Sequence, residues 1–303
     1  MMIMKLVATG AASFGGALLI GVLAATGREV RRSGDDVAQL QATVDSLRGA
    51  LDNAMPARGF PSGRPDVLTD FNSETEQPTI SPVAFVDGYA SVIGSVHLGA
   101  LVYVAPFASI RGDEGQPIEI GEGTNIQDGA VVHALETTQG GAAVANRTYT
   151  VAGKEYAVYI GKRVSLAHQS LVHGPARIDD NVFVGMQAMV FKASIGEGVV
   201  IEPGAKVIGV NVAAGRYVPA GQTVTTQKAA DLLPKITDDY PYRTLNDAVV
   251  HVNTSFAKAY RRAADSAAAA SRSAHAPRAA SSDAKAASPK KPEPEAAKTE
   301  KTH

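Results

Sequence analysis

From Val158 to Phe191 a branched aliphatic residue returns at every sixth position: Ile160, Leu166, Val172, Ile178, Val184 and Val190. Two places before each stands a small or β-branched residue, at Val158, Val164, Ser170, Ala176, Val182 and Ala188. A helix repeats about every 3.6 residues and a simple strand every two, so neither keeps this register. A coil with three short strands per turn does, one hexapeptide forming each side of a triangular prism. The aliphatic and the small residue then point inward. Because side chains alternate along a strand, the residue just after the aliphatic points outward. Two histidines of this stretch, His168 and His173, stand outside.

The ladder extends in both directions. Val86, Val92, Leu98, Val104 and Ile110 keep the period, four residues are inserted, and Ile120, Ile126 and Val132 resume it. A longer excursion, Leu135 to Ala157, carries Arg147 to Val151 and Lys154 to Val158 around Ala152-Gly153, a pattern that predicts a small hairpin. One residue is dropped after the central stretch, and Ile195, Ile201 and Val207 close the coil. About seventeen hexapeptides make between five and six turns, enough for a continuous core. The composition agrees: 29 glycines and only 6% aromatic residues in 303 suit a solenoid that packs small side chains in layers.

Outside the coil, Leu6 to Gly27 is an uncharged run of twenty-two residues. A bilayer-spanning helix needs about 20 and a signal-peptide core roughly 7 to 15. Residues 1–34 therefore read as an uncleaved membrane anchor, the alternative being a cleaved signal with Val22-Leu23-Ala24 as a weak site. Arg28, Arg31 and Arg32 after the run, against Lys5 before it, favour a cytoplasmic body. In 35–79, Val37, Leu40, Val44, Leu47 and Leu51 form a short heptad seam, and Met55 to Thr79 reads as a linker. The coil is assigned to 80–225. In 226–270 Asn246 is expected to cap a helix whose Val249, Val252, Phe256 and Tyr260 line one face and cover a side of the prism. Residues 271–303, mostly Ala, Ser, Pro, Lys and Glu without an aromatic, read as a disordered tail. A net charge of −1 leaves no electrostatic footprint for nucleic acid, and the absence of cysteine excludes disulfides and thiolate metal ligands.

Chemistry emerges when the ladder is counted in threes. With each insertion in phase, Ile110, Val132, Val172 and Val190 begin strands on one face in successive turns, followed by the outward residues Arg111, His133, His173 and Phe191. Neighbouring turns lie about 4.8 Å apart, so His133 and His173 stack side by side and can share a metal. A lone outward histidine is ordinarily a surface residue, and His97, His251, His275 and His303 are read so. A pair in register above an arginine asks for another explanation. Both insertions leave the prism after strands of this face, and each carries an early glutamate, Glu114 and Glu136. A metal lowers the pKa of its water to about 7, and each turnover then leaves a proton that a nearby carboxylate can carry away.

At these positions the chain resembles a known family. The segments Ile110-Arg-Gly-Asp-Glu-Gly115, Asn125-Ile-Gln-Asp-Gly-Ala-Val-Val-His-Ala-Leu-Glu136, Val164-Ser-Leu-Ala-His-Gln-Ser-Leu-Val-His-Gly174 and Gly185-Met-Gln-Ala-Met-Val-Phe-Lys192 are similar to those of the gamma class of carbonic anhydrases, above all its archaeal prototype. The match runs from about Ile80 to Asn253. It implies an all-β fold, a left-handed parallel β-helix of hexapeptide repeats with a C-terminal α-helix, assembled as a homotrimer. It implies hydration of CO2 to bicarbonate by a zinc-bound hydroxide, with iron or cobalt as other metals. His133, His168 and His173 match the metal ligands, Glu114 the carboxylate near the reacting CO2 or bicarbonate, and Glu136 the proton shuttle. Arg111 and Asp113 fall where the family has a subunit-contact ion pair, Asn125 and Gln127 where it has amides beside the metal water, and Tyr217 where a tyrosine borders the site. The loop Gln139 to Asn146 lacks the acidic character of the prototype. Prototype members are exported, which pulls against the arginine count; a membrane-anchored or secreted protein is expected, its side of the membrane open.

His168 belongs to the face before that of His133 and His173. Outward directions on adjacent faces of a triangle diverge by about 120°, whereas zinc takes its nitrogen ligands at about 2.1 Å. A neighbouring chain is therefore expected to supply His168, which places the active sites at subunit interfaces. Two other readings stay open: a hexapeptide acyltransferase using a single histidine base without metal, and a non-catalytic scaffold of the same fold.

Overall fold

Parallel strands run from Gly63 to Val224 in a computed structural model that describes residues 39, 41–44, 46 and 63–274. They form three sheets of eight, seven and seven strands, the sides of a left-handed β-helix. The first face opens with Gly63–Arg64 and includes Ser109–Gly112, Val131–His133, Leu171–His173 and Met189–Phe191. The second opens with Thr79–Ile80 and the third with Phe85–Val86. Inner aliphatics stack turn on turn as the ladder requires: Ile110, Val132, Val172 and Val190 on the first face, Ile120, Ile160 and Ile178 on the second, Ile126, Leu166 and Val184 on the third. Each is 0% exposed, and burying a side chain of this size contributes about 1.5–3 kcal/mol, so the ladder is the core. At one column of corners the residue three places before the aliphatic takes positive φ: Gly123 (69°), Arg163 (55°), Asn181 (58°) and Gly198 (67°). Glycine enters that region without a Cβ penalty, which accounts for part of the glycine content.

The coil is longer than the ladder predicts, about eight turns rather than between five and six. Val212, Val218 and Val224 continue it beyond Val207. At the other end Gly63–Arg64 pairs with Val92–Ile93, inside the stretch expected to be a linker. Neither Gly63 nor Arg64 carries an aliphatic signal, so periodicity could not reveal this layer. The residues after it form an ordered loop around Asp66, only 5% exposed, whose carboxylate accepts from Asn72 Nδ2 and from the Glu76 backbone N–H, both at 2.7 Å.

At the far end α1 (Gln227–Asp231), capped by the Thr226 hydroxyl, brings Ala230 and the following Leu233 onto the core. The long helix α2 (Leu245–Ala274) covers the third face and runs four residues past the expected boundary at 270. Asn246 is not its cap. It lies inside the first turn, 7% exposed, and donates to the Arg163 carbonyl at 2.8 Å. The buried stripe is Asn246, Val250, Asn253 and Ala257, and Val249 packs partly buried on the cluster of Phe183 and Tyr240 as expected, whereas Val252, Phe256 and Tyr260 stay 47%, 43% and 48% exposed. A flat sheet admits a helix closely only through small or flat side chains, so the larger ones stand at the flank, where Tyr260 stacks on Phe85 at 5.1 Å.

Upstream, residues 39, 41–44 and 46 are helical, Val44 is exposed, and the Thr43 hydroxyl donates to the Gln39 carbonyl at 2.8 Å. The rest of the heptad seam, the run Leu6 to Gly27 and the tail 275–303 lie outside the described residues. Among the described residues no helix is long and apolar enough to cross a membrane.

Candidate metal centre

Register brings His133 against His173. They are direct partners on adjacent turns, their rings 5.2 Å apart and nearly perpendicular at 88°. Phe191 follows on the next turn and meets the His173 ring edge-on at 5.4 Å. Nδ1 of His173 lies 3.1 Å from the Gly174 carbonyl. With the proton on Nδ1, Nε2 becomes the ligating atom. Nε2 of His133 is buried and has no hydrogen-bond partner, with Glu114 Oε1 at 3.3 Å and Asp113 Oδ1 at 3.6 Å. An unsatisfied buried polar atom costs about 1–3 kcal/mol, and a cation removes that cost. Asp113, Glu114 and His133 each offer one atom, all within 4.8 Å of one another, and imidazole with carboxylate is a donor set for a divalent metal. The residues present fit such an ion.

Within the chain, Arg111 Nη2 lies 3.0 Å from Asp113 Oδ2. Burial pushes the Asp113 carboxyl up, but the adjacent His133 ring and Arg111 guanidinium outweigh it and hold the group below its ordinary range.

The two insertions lean on each other. The Glu114 carbonyl accepts from the Thr137 backbone N–H at 2.9 Å and its hydroxyl at 3.1 Å, and that hydroxyl accepts from the Gln116 N–H at 2.6 Å. Beyond Glu136 the chain folds into two hairpins. Thr138–Gln139 pairs with Ala142–Ala143 around Gly140-Gly141, and Tyr149–Val151 with Lys154–Tyr156 around the predicted Ala152-Gly153. The Glu136 carboxylate meets Arg147 Nη1 at 3.4 Å. Arg147, expected to open the second hairpin, lies in irregular chain before its first strand begins at Tyr149.

His168 stands apart. It occupies the corner after Ser165–Leu166 on the third face, its side chain 58% exposed and its Nδ1 3.1 Å from Asp128 Oδ2. Asp128 was legible, because it follows Ile126 by two as His168 follows Leu166, and those aliphatics are partners. Asn125 and Gln127 share this face: Gln127 donates to Asn125 at 2.9 Å, and Asn125 donates to the Ser165 hydroxyl at 2.9 Å. Gln127 and His168 line a cavity of about 400 Å³ with Phe183, Met186, Glu202 and Tyr242. Tyr217 stacks at 4.3 Å on Tyr240, whose hydroxyl donates to Glu202 at 2.8 Å. The expected site residues thus fall into two groups on one chain. Arg111, Asp113, Glu114, Glu136, His133 and His173 gather at the first face, and Asn125, Gln127, His168 and Tyr217 at the third.

A hexapeptide-repeat β-helix with histidines paired across turns and a carboxylate beside them defines a class of metal-ligating solenoid. No protein-family model matches the chain. Over 217 residues it is 51% identical to a carbonic anhydrase of Methanosarcina thermophila, a match covering 70% of this chain and 88% of that protein. It is 31% identical over 172 residues to the mitochondrial gamma carbonic anhydrase 1 of Arabidopsis thaliana, covering 56% of this chain and 55% of the relative. To the carboxysome assembly protein CcmM of a Nostoc species it is 41% identical over 198 residues, 65% of this chain but 34% of the relative. The chain belongs to the gamma carbonic anhydrase family.

Proposed function

We propose that the protein catalyses the reversible hydration of CO2 to bicarbonate at metal centres completed between subunits of a homotrimer. The observation that carries this reading is the register pair His133 and His173, with the unpartnered Nε2 of His133 beside Glu114. The identity to a carbonic anhydrase over most of that relative's length supports the same chemistry. His133 and His173 of one chain and His168 of the next would hold the ion, zinc by preference and iron or cobalt as substitutes. When bound, such an ion acidifies water to a pKa of about 7 and so makes a nucleophile available at neutral pH. Glu114 stands beside His133, where it would border the reacting CO2 or bicarbonate. Gln127, its amide buried near His168, donates toward the oxygen on which bicarbonate charge develops. Glu136, further out and 38% exposed, accepts the proton and releases it to buffer.

Stopped-flow CO2 hydration on protein purified anaerobically, with its metal content measured, is the direct test. Near-stoichiometric metal with hydration activity is expected. Metal-free protein that transfers acyl groups, or loaded protein without hydration, would sink the reading. For the shared site, His133→Ala and His168→Ala proteins, each inactive, should regain part of the activity after unfolding and refolding together. Mixed trimers that bind no metal at any interface would refute it. We further propose that Leu6 to Gly27 anchors an exported enzyme to a membrane, the supporting fact being its uncharged length.

A further inference from the structure

The glutamates of the proposed site sit on insertions that the β-helix does not itself order. The hairpin next to Glu136 turns on Gly140-Gly141, where a side chain at either position would meet no packing partner. What holds it comes from outside the ladder. The Thr138 hydroxyl donates to the Phe71 carbonyl at 2.7 Å, and the Gly140 N–H donates to the Asp70 carbonyl at 2.9 Å. Both acceptors belong to the loop closed by Asp66, whose buried carboxylate ties together Asn72 and Glu76. That loop is in turn fixed to the coil by Gly63–Arg64, the first strand of the histidine face. On the other side Thr137 joins the same hairpin to the Glu114 loop. Asp66 therefore closes the loop whose Asp70 and Phe71 carbonyls hold the neighbours of Glu136, and Thr137 carries the link on to the Glu114 loop.

We propose that residues 66–76 are a clasp for the proton-transfer loop, with Asp66 and Thr138 as positioning residues that hold Glu136 within reach of the reaction. Neither touches substrate. Each acts through the loop, because a carboxylate on a two-glycine hairpin samples many positions unless its base is tied down, and proton transfer falls steeply with misplacement. The proposal rests on the reading of Glu136 as the shuttle.

The test uses the full-length, metal-loaded protein. Thr138→Val removes the donor to Phe71, Thr138→Ser keeps it, and Asp66→Asn replaces a carboxylate oxygen that accepts a hydrogen bond by a donor. In weak buffer Thr138→Val and Asp66→Asn should lower kcat by about tenfold, with kcat/KM for CO2 unchanged and concentrated imidazole restoring kcat. Thr138→Ser should behave as the parent. Independently of activity, amide hydrogen exchange at 138–143 should speed up by about tenfold or more in Thr138→Val while the coil keeps its protection. Unchanged exchange at 138–143, or kcat and kcat/KM falling together, overturns the clasp. Glu136→Ala, measured alongside, separates the failures. If it loses buffer-dependent turnover and Thr138→Val does not, the clasp is wrong and the shuttle stands. If Glu136→Ala loses nothing, the shuttle reading fails and the clasp's catalytic role with it.

Discussion

Glu136 and Tyr103 show how neighbours decide what a single titratable side chain does. Glu136 is partly exposed and lies 3.4 Å from Arg147, a placement open to solvent, where a proton can pass to buffer. Glu136→Ala should therefore lower turnover in weak buffer by about 10²-fold, with concentrated imidazole restoring it, because a small base replaces a missing carrier. Unchanged turnover in weak buffer removes it from the role. Tyr103 lies under α2. Burial first, then Tyr260, Asp128 and Asp87, push its phenol up from 10.0 to about 12. The folded protein holds that proton more tightly than the unfolded chain does. The contribution is thus complete below pH 10.0 and is lost as the pH rises through about 12. Tyr103→Phe should flatten the fall in melting temperature across that window, and a fall as steep as the parent's would argue against it. At this scale the sequence was informative wherever a residue sat on the ladder. The His133 and His173 pair followed from counting, and Asp128 beneath His168 was within reach of the same count. Arg147 was not, because irregular chain has no register.

Helix α2 separates hydrophobicity from burial. Its large apolar residues predicted the contact face, but Ala257 and Val250 are the ones pressed on the sheet, at 0% and 2% exposure. Ala257→Leu should cost about 1–3 kcal/mol by overpacking, whereas Val252→Ala should stay within about 0.5 kcal/mol. Denaturant unfolding of the two proteins checks the contrast, and equal losses would mean that the helix can rotate to use either stripe. One element missed altogether was Gly63–Arg64. It pairs through its backbone alone, a contribution that leaves no mark in side-chain pattern.

At the scale of the molecule, the boundary of the coil decides how it can be cut. A protein beginning near Pro56 keeps every layer and should be soluble and active, while the full chain should stay with membranes through salt and alkaline washes. Release by alkali would point to a cleaved signal. A protein beginning at Ile80, where the ladder first becomes visible, lacks the first strand and the Asp66 loop. It should melt several degrees lower, by about 4–8 °C per kcal/mol lost in a domain of some 100 residues and less in a larger one. An unchanged melt would show that the first layer adds nothing to the coil.

The period-six ladder by itself determined the prism, its inner residues and the column that aligns His133 with His173. A repeat states the same packing instruction at every turn, and any slip would move aliphatic side chains out of the core. Tertiary structure alone decided the rest. It joined Glu136 to Arg147 and bound the glutamate loops to residues 66–76. Those contacts join segments of unrelated pattern through backbone carbonyls and loop side chains, and hydrogen bonds of that kind depend on where the chain has already been brought, not on which residues recur.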